Sequence, residues 1–264
     1  MDRAPVDGEN KTKEPGAAPR LSPPTQDEVS YRALCLRALQ FRAVFEYAYR
    51  GNPDPDGELR ADLRKRLVAL NAWVSVEGID LHASATEGAL LAKALGTWVE
   101  QELRDASWRN EAYGTVLWAL GQIPAIPPYD QQFEDTDQCI EWLEPAAEVL
   151  ARMRLRPAAE IARARKVAEL WNWRARTTRL QHQQWRLAKR HNLPAVIRRA
   201  AHLAHEHGDL PPPMKDDFPA FGKPYARLSS KEHSEAESIA TERHFALNWL
   251  CGYSEDWDST PTDT

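Results

Sequence analysis

The sequence predicts an all-α fold: a single helical domain of roughly seven to nine helices over residues 25–264, behind a disordered tail at residues 1–24. Three observations carry that prediction. Capping boxes of the form S/T-x-x-E stand at Thr25 and Glu28, at Ser84 and Glu87, and at Ser229 and Glu232; each satisfies backbone N–H groups that the first turn of a helix leaves unpaired. Apolar residues recur at intervals of three and four, which gathers them on one face of a helix. No segment alternates with period two over five residues, so no strand is expected.

The elements follow in order. Residues 1–24 mix Pro, Gly and charged residues with almost no aliphatic side chains, too little apolar surface to offset the entropy lost on ordering. From the box at Thr25, Val29, Leu34, Leu36, Leu39, Phe41, Val44, Phe45 and Tyr49 mark a first helix that Gly51, Asn52 and Pro53 end. Asp54 and Pro55 suit the start of a second, with Leu59, Leu63, Leu67, Leu70, Trp73 and Val74 as its stripe and Gly78 as its close. The box at Ser84 opens a third, expected to run through Leu95 toward Trp98. Between Asp105 and Ile123 the spacing puts Trp108, Glu111, Thr115 and Trp118 on one face, and Pro124, Pro127 and Pro128 then break the chain. A shorter helix is expected from about Asp137, interrupted or restarted at Pro145. From 157 to about 191 neither Gly nor Pro follows Pro157 itself, which predicts one long helix; another runs from Pro194 to Gly208. The box at Ser229 begins the last, with Ala236, Ile239, Ala240, Arg243, Leu247 and Leu250 as its stripe and Gly252 past its end.

Two blocks carry a family resemblance. ERHFALNWLCGY followed by WDSTPTDT, and upstream SWRNEAYGTVLWALGQIPAIPPYD, resemble the signatures of a largely bacterial family catalogued as domain of unknown function 4272. The resemblance implies no activity, cofactor or catalytic residue.

Composition narrows the classes. A formal charge of −5 gives no global pull toward nucleic acid or an acidic membrane. Three cysteines without a C-x-x-C pair argue for a reducing compartment. With no run of eighteen apolar residues, the expectation is a soluble cytoplasmic protein that does not enter a membrane.

Six residues make up the candidate site: Glu111, Arg174, Arg243, His244, Asn248 and Asp258. Glu111, Arg174 and Arg243 interrupt apolar faces, where a charge requires a partner, and pairing across helices is the economical solution. The preferred reading is a core polar network that fixes register; the other is the floor of a pocket. Arg243 is expected to pair with Glu111. His244 and Asn248 lie one turn apart and could bind a ligand or satisfy buried backbone. His244 and Cys251 do not make a nucleophile pair, because seven residues of helix separate their backbones by about 10 Å. His202 and His205 share a face that Asp209 could join, but no H-E-x-x-H spacing accompanies them, and neither metal nor cofactor is expected. Between Arg152 and Arg199 stand fourteen Lys or Arg against two acids, with Trp171, Trp173 and Trp185 interleaved. That is the composition of a nucleic-acid binder, but the acidic stretch from Glu206 to Asp263 makes internal charge matching the preferred reading. Phosphate loops and G-x-S-x-G elbows are absent from the sequence. The leading functional expectation is therefore a non-enzymatic binding or protein-interaction module. An enzyme with a polar site near the last helix comes second, and nucleic-acid binding through the basic helix at 157–191 third.

Overall fold

The structure, a computed structural model, describes residues 22–51, 57–134, 136–183 and 192–263. Eight α-helices occupy these residues: α1 (Gln26–Gly51), α2 (Glu58–Val76), α3 (Ala85–Ala92), α4 (Glu100–Ala119), α5 (Ala146–Arg152), α6 (Ala158–Gln183), α7 (Leu193–Glu206) and α8 (Ser230–Leu250). Four long helices form the body in the order α1, α4, α8, α6, and α2, α3 and α5 pack against α1. Both faces of α4 and α8 are therefore covered, which is why Ala112 to Leu117 and Phe245 to Leu250 are buried almost continuously.

The three capping boxes form. Ser84 and Ser229 each accept from the backbone N–H of the glutamate three residues on, and the glutamate carboxylates answer in return; Thr25 and Glu28 do the same at 3.3 and 2.7 Å. Gly78 and Gly252 take the left-handed conformation past α2 and α8. A two-residue ladder, β1 (Pro219–Ala220) against β2 (Lys223–Pro224), is a feature the periodicity does not reveal. Phe221 and Gly222 join its strands with positive φ at both positions, and Lys215 and Asp216 do so in the turn just before it. A tight hairpin turn needs that geometry at both central residues.

Three boundaries differ from expectation. α3 stops at Ala92, because Lys93 turns to extended backbone and the chain then passes so close to Tyr49 that only Gly96 fits: a Cβ there would lie 2.4 Å from the ring. Leu95 and Trp98 thus lie outside it. No α-helix starts at Asp137. Arg37 draws the carbonyls of Asp137 (2.6 Å) and Ile140 (3.0 Å) to its guanidinium, and only a single 3-10 turn, Thr136–Gln138, forms before Pro145 starts α5. The long basic helix is described as Ala158–Gln183. The remainder expected up to 191, with Trp185, lies outside the described residues, as do the expected helix start at Asp54 and Pro55 and the expected tail as far as residue 21.

The irregular segments are held by arginine side chains from α1 and from the segment that enters α6. Arg32 donates to His82, Arg42 to Lys93 and Ala94, and Arg156 to Trp118, Ile123 and Pro124, each time to a backbone carbonyl. An unpaired carbonyl in a buried loop is costly, and a guanidinium with five donors can answer several at once. No helix of the described residues is long and apolar enough to cross a membrane.

Candidate functional site

Arg243, fully buried in the middle of α8, faces α4 and the loop beyond it. Its Nε and Nη2 each lie 2.8 Å from Oε2 of Glu111, itself 1% exposed. The other donors go to the carbonyls of Pro127 (2.6 Å), Pro128 (3.3 Å) and Gln131 (2.7 Å), so each of the three nitrogens of the fork has a partner. Glu111 Oε1 accepts from the Phe133 N–H at 3.0 Å. Tyr129 and Phe133 present their rings to the guanidinium at 5.0 and 4.8 Å. Burial holds the Glu111 carboxyl above its ordinary range despite the cation beside it. The pair and its carbonyls clamp the loop at 127–133 onto α4 and α8, and no donor of Arg243 is left over for a ligand.

Arg174 does a similar thing elsewhere. On α6, it grips both oxygens of Asp217 at 2.7 Å, bonds Thr178, and lies 4.7 Å from the Tyr225 ring. Asp217 also accepts the N–H groups of Phe218 and Ala226, which pins the segment carrying β1 and β2. His244 is buried between α8 and α6, with Nδ1 3.2 Å from the Asn172 amide and Nε2 without a partner among the described residues. Burial first, and the cations Arg165 and Arg176 second, push its pKa down to about 4, so the ring is neutral. Asn248 accepts from Arg165 Nε (2.8 Å) and donates to the Pro261 carbonyl (2.7 Å), while Asn172 donates to the Thr262 carbonyl (2.8 Å). Asp258 reaches the Thr86 N–H at 2.8 Å and so caps α3 from the carboxyl-terminal segment. The six candidates thus fall into four places: Glu111 with Arg243, Arg174 with Asp217, His244 with Asn248 under the returning tail, and Asp258 at α3. The tail returns because Trp257, 2% exposed, stands edge-on to Phe245 (4.7 Å) and Trp249 (5.2 Å).

Other chemistry-bearing residues are engaged as well. His202 and Arg198 meet Asp216 at 2.9 and 3.0 Å, His205 meets the Leu210 carbonyl at 3.1 Å, and Asp209 faces Arg163 at 3.5 Å. Among the described residues no cluster of three or more His, Cys, Asp or Glu could hold a metal. Cys35 is buried and its thiol is pushed up to about 12, mainly by that burial, far from a nucleophile's range. On α6, Trp171 and Trp173 turn inward onto Phe218. Arg163, Arg179 and Arg198 meet acids from residues 206–263: Asp209, Glu237 (3.2 Å) and Asp216.

A cleft of about 410 Å3 opens where the start of α1, the first turns of α6 and the end of α8 meet. It is lined by Pro23, Pro24, Val29, Leu155, Ile161 and Leu250 together with Arg165, Lys166 and Tyr253. Arg165 is held by Asn248 and by Glu169 (3.2 and 3.3 Å) and lies 4.2 Å from the Tyr253 ring. Sequence reasoning misses this cleft. Pro23 and Pro24 fall in the expected tail, and the other walls are distant in sequence; the one available signal is the cationic run that contains Lys166. Three further cavities, of about 680, 360 and 370 Å3, lie along the loops at 122–144, 209–222 and 124–130. None of the four is lined by any of the six candidate residues.

In comparison with known proteins, the family model described as "Domain of unknown function (DUF4272)" matches residues 17–199. That span contains the SWRNEAYGTVLWALG block and ends before the ERHFALNWLCGY block. No curated protein and no solved structure matches the chain.

Proposed function

The chain belongs to the DUF4272 family, and from its geometry we propose a non-enzymatic binding module that takes a small, largely apolar ligand in the cleft between α1, α6 and the end of α8. One observation carries the reading. The cleft is walled by aliphatic and proline side chains and has the volume of a ligand pocket, about 410 Å3 against the several hundred typical of such sites. An enzyme at the carboxyl-terminal helix has less support, since Arg243 and Asp217 spend their hydrogen-bonding groups on loop backbone and His244 lines none of the four cavities. Nucleic-acid binding through α6 loses support from the inward tryptophans and the acids that meet its arginines. A cytoplasmic location belongs to the same reading and rests on the cysteine usage of the sequence.

The test uses a neutral solvatochromic dye such as Nile red with the full chain. Ala162 is exposed, lines the cleft and sits on a helix, so Ala162→Trp should fill the space without touching the core. Saturable dye emission that the substitution removes is the expected result. Equal emission from both proteins would place the dye elsewhere and overturn the reading.

A further inference from the structure

We propose that the ligand of this cleft is a medium-chain carboxylate, its hydrocarbon body against Val29, Leu155, Ile161 and Leu250 and its carboxylate on Lys166. The inference rests on the binding role proposed above and adds the ligand's charge and size.

Charge is the first argument. The ionised side chains that line the cleft are Arg156, Arg165 and Lys166, and no carboxylate lines it. Two of these cations are already committed. Arg156 bonds three carbonyls and Glu160, and Arg165 bonds Asn248 and Glu169. Lys166 is exposed and has no ion pair among the described residues. Ala158 at the amino-terminal end of α6 also borders the space, and the partial positive charge of a helix start adds to the same sign. A largely apolar cleft whose lining includes one exposed, uncommitted ammonium complements one negative charge on an apolar body. A lysine ammonium is a point charge that suits a monoanion, and a phosphate would find no cluster of unspent donors.

Size is the second. At about 30 Å3 per water-sized group, 410 Å3 holds roughly a dozen non-hydrogen atoms. A ten-carbon carboxylate has that size; a long-chain acid would leave much of its tail in water.

Calorimetric titration of the full chain with decanoate, 1-decanol and decyltrimethylammonium, each below its aggregation concentration, separates the two layers of the argument. Decanoate should bind at least about tenfold more tightly than decanol, with the cation weakest. Lys166→Ala should remove that advantage and leave decanol unchanged, while Lys166→Arg should keep most of it. Equal affinities for decanoate and decanol, or a Lys166→Ala protein that binds decanoate as well as the parent, would overturn the carboxylate and leave the apolar cleft standing. A short apolar peptide with a free carboxyl terminus that binds where decanoate does not would also overturn it, in favour of a protein partner. No binding of any probe would overturn both readings.

Discussion

Replacing Arg243 by Met tests what holds the centre of this molecule. The substitution keeps an unbranched apolar side chain in the space but removes five donors at once: those to Glu111 and those to Pro127, Pro128 and Gln131. Glu111, 1% exposed, would be left with the Phe133 N–H alone. Removing one member of a buried ion pair typically costs about 3–5 kcal/mol, because the survivor is an uncompensated charge; the orphaned carbonyls push this chain toward the upper part of that range. With a urea slope of about 2–3 kcal/mol per molar, the unfolding midpoint should fall by roughly 1.3–2.5 M. The pH dependence of that loss identifies its cause. Burial already raises the Glu111 carboxyl above its ordinary range, and without the guanidinium it rises further. A folded-state pKa above the unfolded one means that the native state holds the extra proton, so stability falls as pH rises. The penalty of Arg243→Met relative to the parent should therefore be smaller at pH 5 than at pH 7.5. Glu111→Gln and the double mutant complete the cycle, and the combined loss should be less than the sum of the single losses. Simple additivity, or an Arg243→Met penalty below about 1 kcal/mol, would refute the reasoning.

Three further outcomes are expected. The His244 ring, neutral with a pKa near 4 against about 6.5 unfolded, withholds a proton that the unfolded chain binds, so stability should fall as pH drops through that window. The loss reaches about 2 kcal/mol at pH 5, and a His244→Gln protein that keeps the same slope in pH-dependent urea titrations would assign it to other groups. Gly114→Ala should destabilise despite alanine's better helix propensity, since its Cβ would stand 2.3 Å from the Phe133 ring. An overpacking cost of about 1–3 kcal/mol outweighs the gain of about 1, and an unfolding temperature above the parent's would contradict it. Trp257→Ala should cost about 3–5 kcal/mol, because its ring fills the space between Phe245, Trp249 and Arg32. A thermal midpoint unchanged by the substitution would show that the tail packs without it.

The helices were legible where the signal is local. Capping boxes and three-four spacing act within one or two turns, so Ser84, Ser229 and the stripe of α8 can be read directly. The pairing of Arg243 with Glu111 is legible for a related reason: a charge within an apolar stripe must find its opposite on another stripe of the same kind. Arg174 obeys the same rule, but its partner Asp217 comes from a loop, where no periodicity marks it. The loops themselves were not legible. Arg37 decides the path of residues 137–140 from a hundred positions away in the chain, and nothing in the local sequence of that segment records the fact. The cleft shares this difficulty, since Pro24, Leu155, Ile161 and Leu250 come together only when the ends of three helices meet.

The arginines that reach into the loops have a consequence for how the molecule opens. A loop whose carbonyls are bonded to its own neighbours can detach alone and close again. Here the carbonyls of residues 82, 93, 123, 124, 127, 131, 137 and 140 are bonded to side chains rooted in α1, α8 and the segment that enters α6, and those of Ala94 and Pro128 share such a bond with a neighbour in their own loop. To open, such a loop must strip a guanidinium of its acceptors, which couples its opening to the helix or segment that carries that side chain. In native-state amide exchange these loops therefore belong to the same cooperative units as the helices that grip them. Their protons should exchange with the core, even where no regular secondary structure surrounds them.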